Sequence, residues 1–241
     1  MHTPRITSSF LTVTVLACGL VLGGFTSPAA AKTIVVTTLM DTADPPFNAD
    51  GPCGAGTIND LPGSESKVSL REAIIAANNT PGADMITFAT VGTIAVNTPL
   101  PLLCGGQTHI KGERNDDGTP AITLEGAALS FPAAGLVVIS RHNTISDLQI
   151  QHFPFGIVVR ADEFPIPGTS STVTHNTVKN NIVTDSLFHG IFVLTGDAPG
   201  SVLAHSTITQ NLVMNNAQHG ILVLANLTAA GSDTRIDHTR I

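Results

Sequence analysis

The sequence contains no tryptophan and no tyrosine, and only 12% of its 241 residues are charged. Sugar-binding platforms and protein-binding hot spots lean on those two aromatics, so their absence leaves the chain short of the usual chemistry for either. The net charge is −7 and no basic stripe is present, which excludes nucleic acid as an expected partner. Ten phenylalanines are present, most of them among apolar neighbours, where a core role is expected. Long apolar runs are also missing, with one exception at the N-terminus.

That exception reads as a signal peptide over residues 1–31. Arg5 supplies a short positive region, Phe10 to Phe25 carry no charge, and Ala29-Ala30-Ala31 is a small-residue cleavage pattern before Lys32. A rival reading cleaves before Cys18 as a lipoprotein, but the apolar run continues past that cysteine. Gly19, Gly23 and Gly24 interrupt the run, so a retained anchor is disfavoured, and no membrane span is expected in the mature chain. Removal of Cys18 would leave Cys53 and Cys104, an even pair in an exported chain, expected to be bonded. Two free thiols or a metal pair are the alternatives, and no histidine lies at ligand spacing from either cysteine. The bond would close a long loop and stabilise by about 4 kcal/mol in the chain-entropy picture.

Lys32 to Thr38 is β-branched and strand-like, and Asp41 to Ser66 is a loop rich in Asp, Pro and Gly. Ser69 and Glu72 then fit a capping box, so a helix is expected over about 69–79, with Leu70, Ile74 and Ala77 on one face and Pro81-Gly82 ending it. Residues 32–90 form an N-terminal cap region on this reading. Ser69, Arg71 and Glu72 are expected to serve the cap structurally, shielding the open end of whatever follows.

From Met85 onward short strands alternate with turns. Gly135-Leu136-Val137-Val138, Gly156-Ile157-Val158-Val159, Gly190-Ile191-Phe192-Val193 and Gly220-Ile221-Leu222-Val223 are four copies of one strand, 21, 34 and 30 residues apart. Stacked in register at about 4.8 Å, they would align Leu136, Ile157, Ile191 and Ile221 in one interior column and Val138, Val159, Val193 and Val223 in another. Leu148, Ile182 and Leu212, followed two residues later by Ile150, Thr184 and Met214, suggest a second alternating strand. Nine residues before the last three glycines stand Asp147, Asn181 and Asn211, expected to form a polar ladder. A sandwich or antiparallel barrel has no reason to repeat the same residues at the same turn. The fold expected is therefore all-β: a right-handed single-stranded parallel β-helix over 85–241 with a short N-terminal α-helical cap. Arg235 to Ile241 resembles the opening strand of another coil, so the natural protein is expected to continue beyond it.

The stretch Val68-Ser69-Leu70-Arg71-Glu72-Ala73-Ile74, with Ala76-Ala77-Asn78-Asn79 and Pro81 to Phe88, resembles the CSLREA domain found at the start of many secreted or surface-displayed bacterial β-helix proteins. The resemblance covers roughly residues 33–90. Where the family motif has Cys before Ser, this chain has Val68. The resemblance implies export to the cell exterior of a bacterium and a β-helix, but no reaction.

Candidate chemistry is sparse. His189 and His219 both precede a repeat glycine, where Phe155 stands one coil earlier, and histidines one coil apart could bind a metal or act as a catalytic pair; a recurring residue beside a tight turn explains them equally. Asp162, Glu163, Asp197 and Asp233 lie on loops inserted after the repeat strand and could gather around Ca²⁺, the one cofactor the sequence suggests; otherwise they are solvated acids, as Asp41, Asp44 and Asp50 are taken to be. Asp162, Asp197, His189 and His219 are the catalytic candidates if the chain is an enzyme, a polysaccharide lyase, hydrolase or epimerase. No paired carboxylates with a nearby Arg or Lys cluster in residues 126–224. The reading favoured is a non-catalytic, adhesin-like segment presenting loops along one edge to a surface glycan or protein.

Overall fold

The computed structural model describes residues 31–48, 50–51, 53–161, 171–196, 200–225, 235–237 and 239–241. The regular structure is almost entirely short β-strand, and every pairing between strands is parallel among the described residues. The first sheet holds Lys32–Val36, Asp84–Phe88, Thr108–Lys111, Thr144–Ser146, Thr177–Lys179 and Thr207–Thr209, side by side in that order. The second holds Gly92–Ala95, Ile122–Glu125, Gln149–Gln151, Ile182–Thr184 and Leu212–Met214. The third holds Ala134–Val138, Phe155–Ala161, His189–Thr195 and His219–Ala225. A smaller fourth sheet joins Thr172–Thr174, Val202–Ala204 and Arg235–Asp237. From Thr144 onward the chain visits the sheets in one cyclic order, so each circuit lays a strand beside its predecessor.

The core follows from that register. Ile34, Ile86, Ile110, Ile145, Val178 and Ile208 form one buried column in the first sheet. In the third sheet both expected columns are present: Leu136, Ile157, Ile191 and Ile221, and Val138, Val159, Val193 and Val223. The second sheet corrects the expectation by one residue. Its interior column is Ile94, Leu124, Ile150, Val183 and Val213, whereas Ile182 pairs with Gln149 and Leu212 with Ile182 on the outer side. The same offset reaches the polar ladder, where Leu148, not Asp147, stands opposite Asn181. Asp147 takes a left-handed turn position, φ 63°, like Asn180 and Gln210, and its carboxylate pairs with Arg114 at 2.7 Å. The turn between Gln151 and Phe155 is one residue shorter than that between Thr184 and His189, and counting back from the glycine cannot see this.

Asparagines hold the turns between coils. The Asn181 Oδ1 accepts from the Leu148 amide, its Nδ2 donates to the Ile145 carbonyl and to the Asn211 Oδ1, and the Asn211 Nδ2 donates to the Val178 carbonyl. A second pair, Asn143 and Asn176, does the same at the preceding corner. All three of Asn143, Asn176 and Asn181 are buried, so these bonds meet the demand that buried polar groups be satisfied.

One α-helix is found among the described residues, Leu70–Asn78, with Ser69 as N-cap and Asn79 as C-cap. The reciprocal capping box is formed: the Ser69 Oγ accepts from the Glu72 amide and the Glu72 Oε2 accepts from the Ser69 amide. The helix is buried on all sides rather than on one stripe, because Ala73, Ile75 and Ala76 are covered as well as Leu70, Ile74 and Ala77. The loop from Asp41 wraps it, bringing Phe47 into the core and Ile58 and Leu61 against it. That loop is bonded at Cys53 to Cys104. Asn78 binds both ends of the clamp, its Nδ2 donating to the Cys53 and Leu102 carbonyls and its Oδ1 accepting from the Cys104 and Gly105 amides.

Candidate functional site

Asp41 and Asp44 are not solvated acids. Arg71 is buried, donates from Nε and Nη2 to the two carboxylate oxygens of Asp41, and donates further to the Pro99 and Thr98 carbonyls. Glu72 and Asp44 are buried together: the Glu72 Oε1 accepts from the Asp44 amide, and the Asp44 Oδ2 accepts from the Ser64 hydroxyl and the Glu65 amide. Burial, followed by the neighbouring Asp44 carboxyl, pushes Glu72 up to about 7. Sharing a proton with Glu72, and then the Ser64 hydroxyl, holds Asp44 far below the ordinary carboxylate range. Every polar atom named here is engaged within this region of the fold.

Asp162, Glu163, Asp197 and Asp233, the calcium and catalytic candidates, lie outside the described residues. His189 and His219 do come together, in register on neighbouring strands of the third sheet, with ring centroids 5.0 Å apart. His189 is buried and His219 exposed. Burial, followed by the charge of His219 when protonated, holds His189 below the ordinary imidazole value.

The sequence missed the surroundings of that pair. Phe47, Phe88 and Phe153 are core residues, as expected, but Phe131, Phe155, Phe188 and Phe192 gather on the outer side of the third sheet. Phe155 stacks on Phe188 and Phe192 at 5.4 and 5.7 Å, Phe131 meets Phe188 edge-on at 5.5 Å, and His189 meets Phe192 edge-on at 5.1 Å. The sheet register explains the placement. Val137, Val158, Phe192 and Leu222 form one outward column, Arg160, Leu194 and Leu224 another, and Ala134, Phe155, His189 and His219 a third. The apolar outward positions were legible in the repeats, but without Phe131, which comes from the preceding turn, nothing marked them as a shared surface.

A groove of about 560 Å³ runs beside this cluster, floored by Ala134 and Val137 and walled by Pro99, Leu100, Leu102, Leu129 and Phe131. A second depression of about 220 Å³, between Phe131, Phe155, Val158, Phe192 and Leu194, shares Phe131, Pro132, Ala134, Val137 and Arg160 with the first. Phe131 is 65% exposed, a large apolar side chain left at the rim. Arg160 is the only ionisable residue among the described residues lining either depression, and Asn97 and Ser130 supply the other polar side chains. The described lining presents mainly apolar area and ring faces, and it holds no acid–base pair.

Other polar clusters are accounted for by the fold. Glu125 accepts from Gln151 and meets the His152 ring at 3.0 Å, which raises His152. The His109 Nε2 lies 3.0 Å from the Ser146 Oγ, but Ser146 is only 1% exposed and no substrate reaches it. A column of three exposed histidines, His142, His175 and His205, stacks at 4.8 and 4.9 Å in left-handed turn positions. The sequence carried a signal for it, since each histidine precedes an Asn or Ser at the coil spacing. Among the described residues no group of three or more His, Cys, Asp or Glu surrounds a point that a metal would occupy, and no helix is long and apolar enough to cross a membrane. Comparison with protein-family models and with curated proteins finds no match.

Proposed function

We propose that the chain is a secreted bacterial right-handed parallel β-helix of the CSLREA kind, and that it binds a partner at the cell exterior without transforming it. The observation that carries this reading is the aromatic groove on the third sheet, lined by Phe131, Phe155, Val158, Phe192 and Leu194 with Arg160 beside them. The handedness rests on the strong preference of parallel crossovers for the right hand. Export rests on the leader-like residues 1–31 and on the Cys53–Cys104 bond, which suits an oxidising compartment.

Non-catalytic binding is favoured because retaining and inverting sugar hydrolysis both need two carboxyl groups flanking the substrate, and the described lining of the groove contains none. Phenylalanine brings ring area but no polar handle, so an apolar anchor on a protein partner suits the groove better than a glycan does.

The test is a binding screen of the full chain against host-surface proteins and a glycan panel, with cleavage of acidic and neutral polysaccharides followed in parallel. Specific protein binding that falls at least about tenfold in Phe131→Ala, a loss of about 1.4 kcal/mol or more, is expected. Polysaccharide cleavage would overturn the non-catalytic reading, and binding unaffected by Phe131→Ala would overturn the groove.

A further inference from the structure

The Nδ1 atoms of His189 and His219 lie 3.4 Å apart. Two imidazole nitrogens bound to one tetrahedral zinc ion, each at 2.0–2.1 Å, are separated by roughly 3.3–3.4 Å. The two rings are tilted by 59° to one another and are not stacked face to face. We propose that His189 and His219 form an open two-histidine site for a transition-metal ion of the zinc or copper(II) class. This inference is independent of the groove's role.

The donor set selects the metal. Two imidazole nitrogens suit borderline ions, whereas calcium and magnesium require several oxygens. The His189 ring is seated by packing: Phe192 stands edge-on at 5.1 Å and Phe155 lies 5.7 Å away. In the metal-free chain the 3.4 Å contact requires one Nδ1 to donate and the other to accept. On metal binding the donating ring passes its Nδ1 proton through solvent to its own Nε2, so no proton is released overall when both rings begin neutral. The remaining coordination positions go to water or to a donor brought by a partner, because no third His, Cys, Asp or Glu joins the pair among the described residues.

The histidine column on the first-sheet corner provides the contrast. The rings of His142 and His175 are inclined by only 15°, and those of His175 and His205 by 23°. An ion between nearly parallel rings lies out of both ring planes, where no nitrogen lone pair points. The column therefore stacks rather than chelates, although its histidines are more exposed than His189.

The experiment is zinc titration of the full chain, without a polyhistidine tag, by isothermal calorimetry at neutral pH, together with copper(II) electron paramagnetic resonance. One ion per chain and nitrogen splitting from two imidazoles are expected. His219→Ala, at an exposed position that leaves the core intact, should weaken zinc binding at least about tenfold, while His175→Ala should leave it unchanged. Absence of binding in the parent chain would overturn the proposal. So would unchanged affinity in His219→Ala, or loss of the ion in His175→Ala.

Discussion

Glu72 carries two duties that conflict. As the third residue of a capping box it must accept from the Ser69 amide, which a carboxylate does well. As a buried neighbour of Asp44 it is driven to keep a proton. The raised value means that the folded chain holds this proton more tightly than the unfolded chain does. The corresponding stability is therefore complete below the unfolded value of about 4.5 and is lost as pH rises through about 7. Asp84, buried and likewise raised, has the same sign, whereas lowered His189 works in the opposite direction between its folded value and 6.5. Asp44→Asn isolates the first effect: the amide oxygen keeps both of the Asp44 acceptor contacts and the amide nitrogen can donate to Glu72. Between pH 6 and 8.5 the parent chain should lose about 1.4 kcal/mol through Glu72, and the variant distinctly less. Thermal unfolding midpoints of both chains across that range check this; parallel curves would contradict the assignment. The capping box itself was legible as S-x-x-E. Its partner was not, since Asp44 lies 28 residues upstream in a loop whose path only the fold reveals.

Among the elements, the repeat glycines and the clamp on the helix bear the clearest structural demands. A Cβ on Gly156 would lie 2.3 Å from the Val183 Cγ1 and 2.4 Å from the Gly190 carbonyl oxygen; on Gly190 it would lie 2.5 Å from the Val213 Cγ1 and 2.7 Å from the Gly220 oxygen. Glycine recurs there because each corner packs against the next coil, not because of an unusual φ. Gly190→Ala should cost about 1–3 kcal/mol, as overpacking does, and Gly118→Ala, with open space around it but φ +82°, separates this from backbone strain. Denaturant midpoints measure both, and a Gly190→Ala chain as stable as the parent would refute the packing account. The disulfide spans 51 residues and ties the loop over the helix to the chain beside Asn78. Replacing Cys53 and Cys104 together by Ser should lower stability by up to about 4 kcal/mol while leaving the strand signature in circular dichroism. The strand repeats and the even cysteine pair were readable because each is carried by residue identity. The one-residue slip at Leu148 was not, because Leu148, Ile182 and Leu212 are all apolar and only hydrogen-bond register separates the inward member from the outward ones.

For the molecule as a whole, stacking makes stability a property of neighbours. A coil in the middle of the stack is covered on both sides: Ile145, Val178 and Val183 are fully buried. In the next coil Ile208, in register with Ile145 and Val178, is likewise buried, whereas Val213, in register with Val183, and Ile221 are half-buried. At the other end, the buried helix, which carries Arg71 in its pair with Asp41, packs against Lys32–Val36 and Asp84–Phe88. If each coil's stability is its own term plus an interface with each neighbour, opening should start where an interface is weakened and spread from there. Amide hydrogen exchange should then show greater protection in the fully covered Ile145, Val178 and Val183 than in the half-buried Val213 and Ile221. Asp41→Ala, which leaves Arg71 buried without its carboxylate at a cost of about 3–5 kcal/mol, should lower protection in Lys32–Val36 and Asp84–Phe88 first. Uniform protection throughout, with all sheets lost together in that variant, would mean that the stack unfolds as one cooperative unit and that the cap stabilises every coil equally rather than the first.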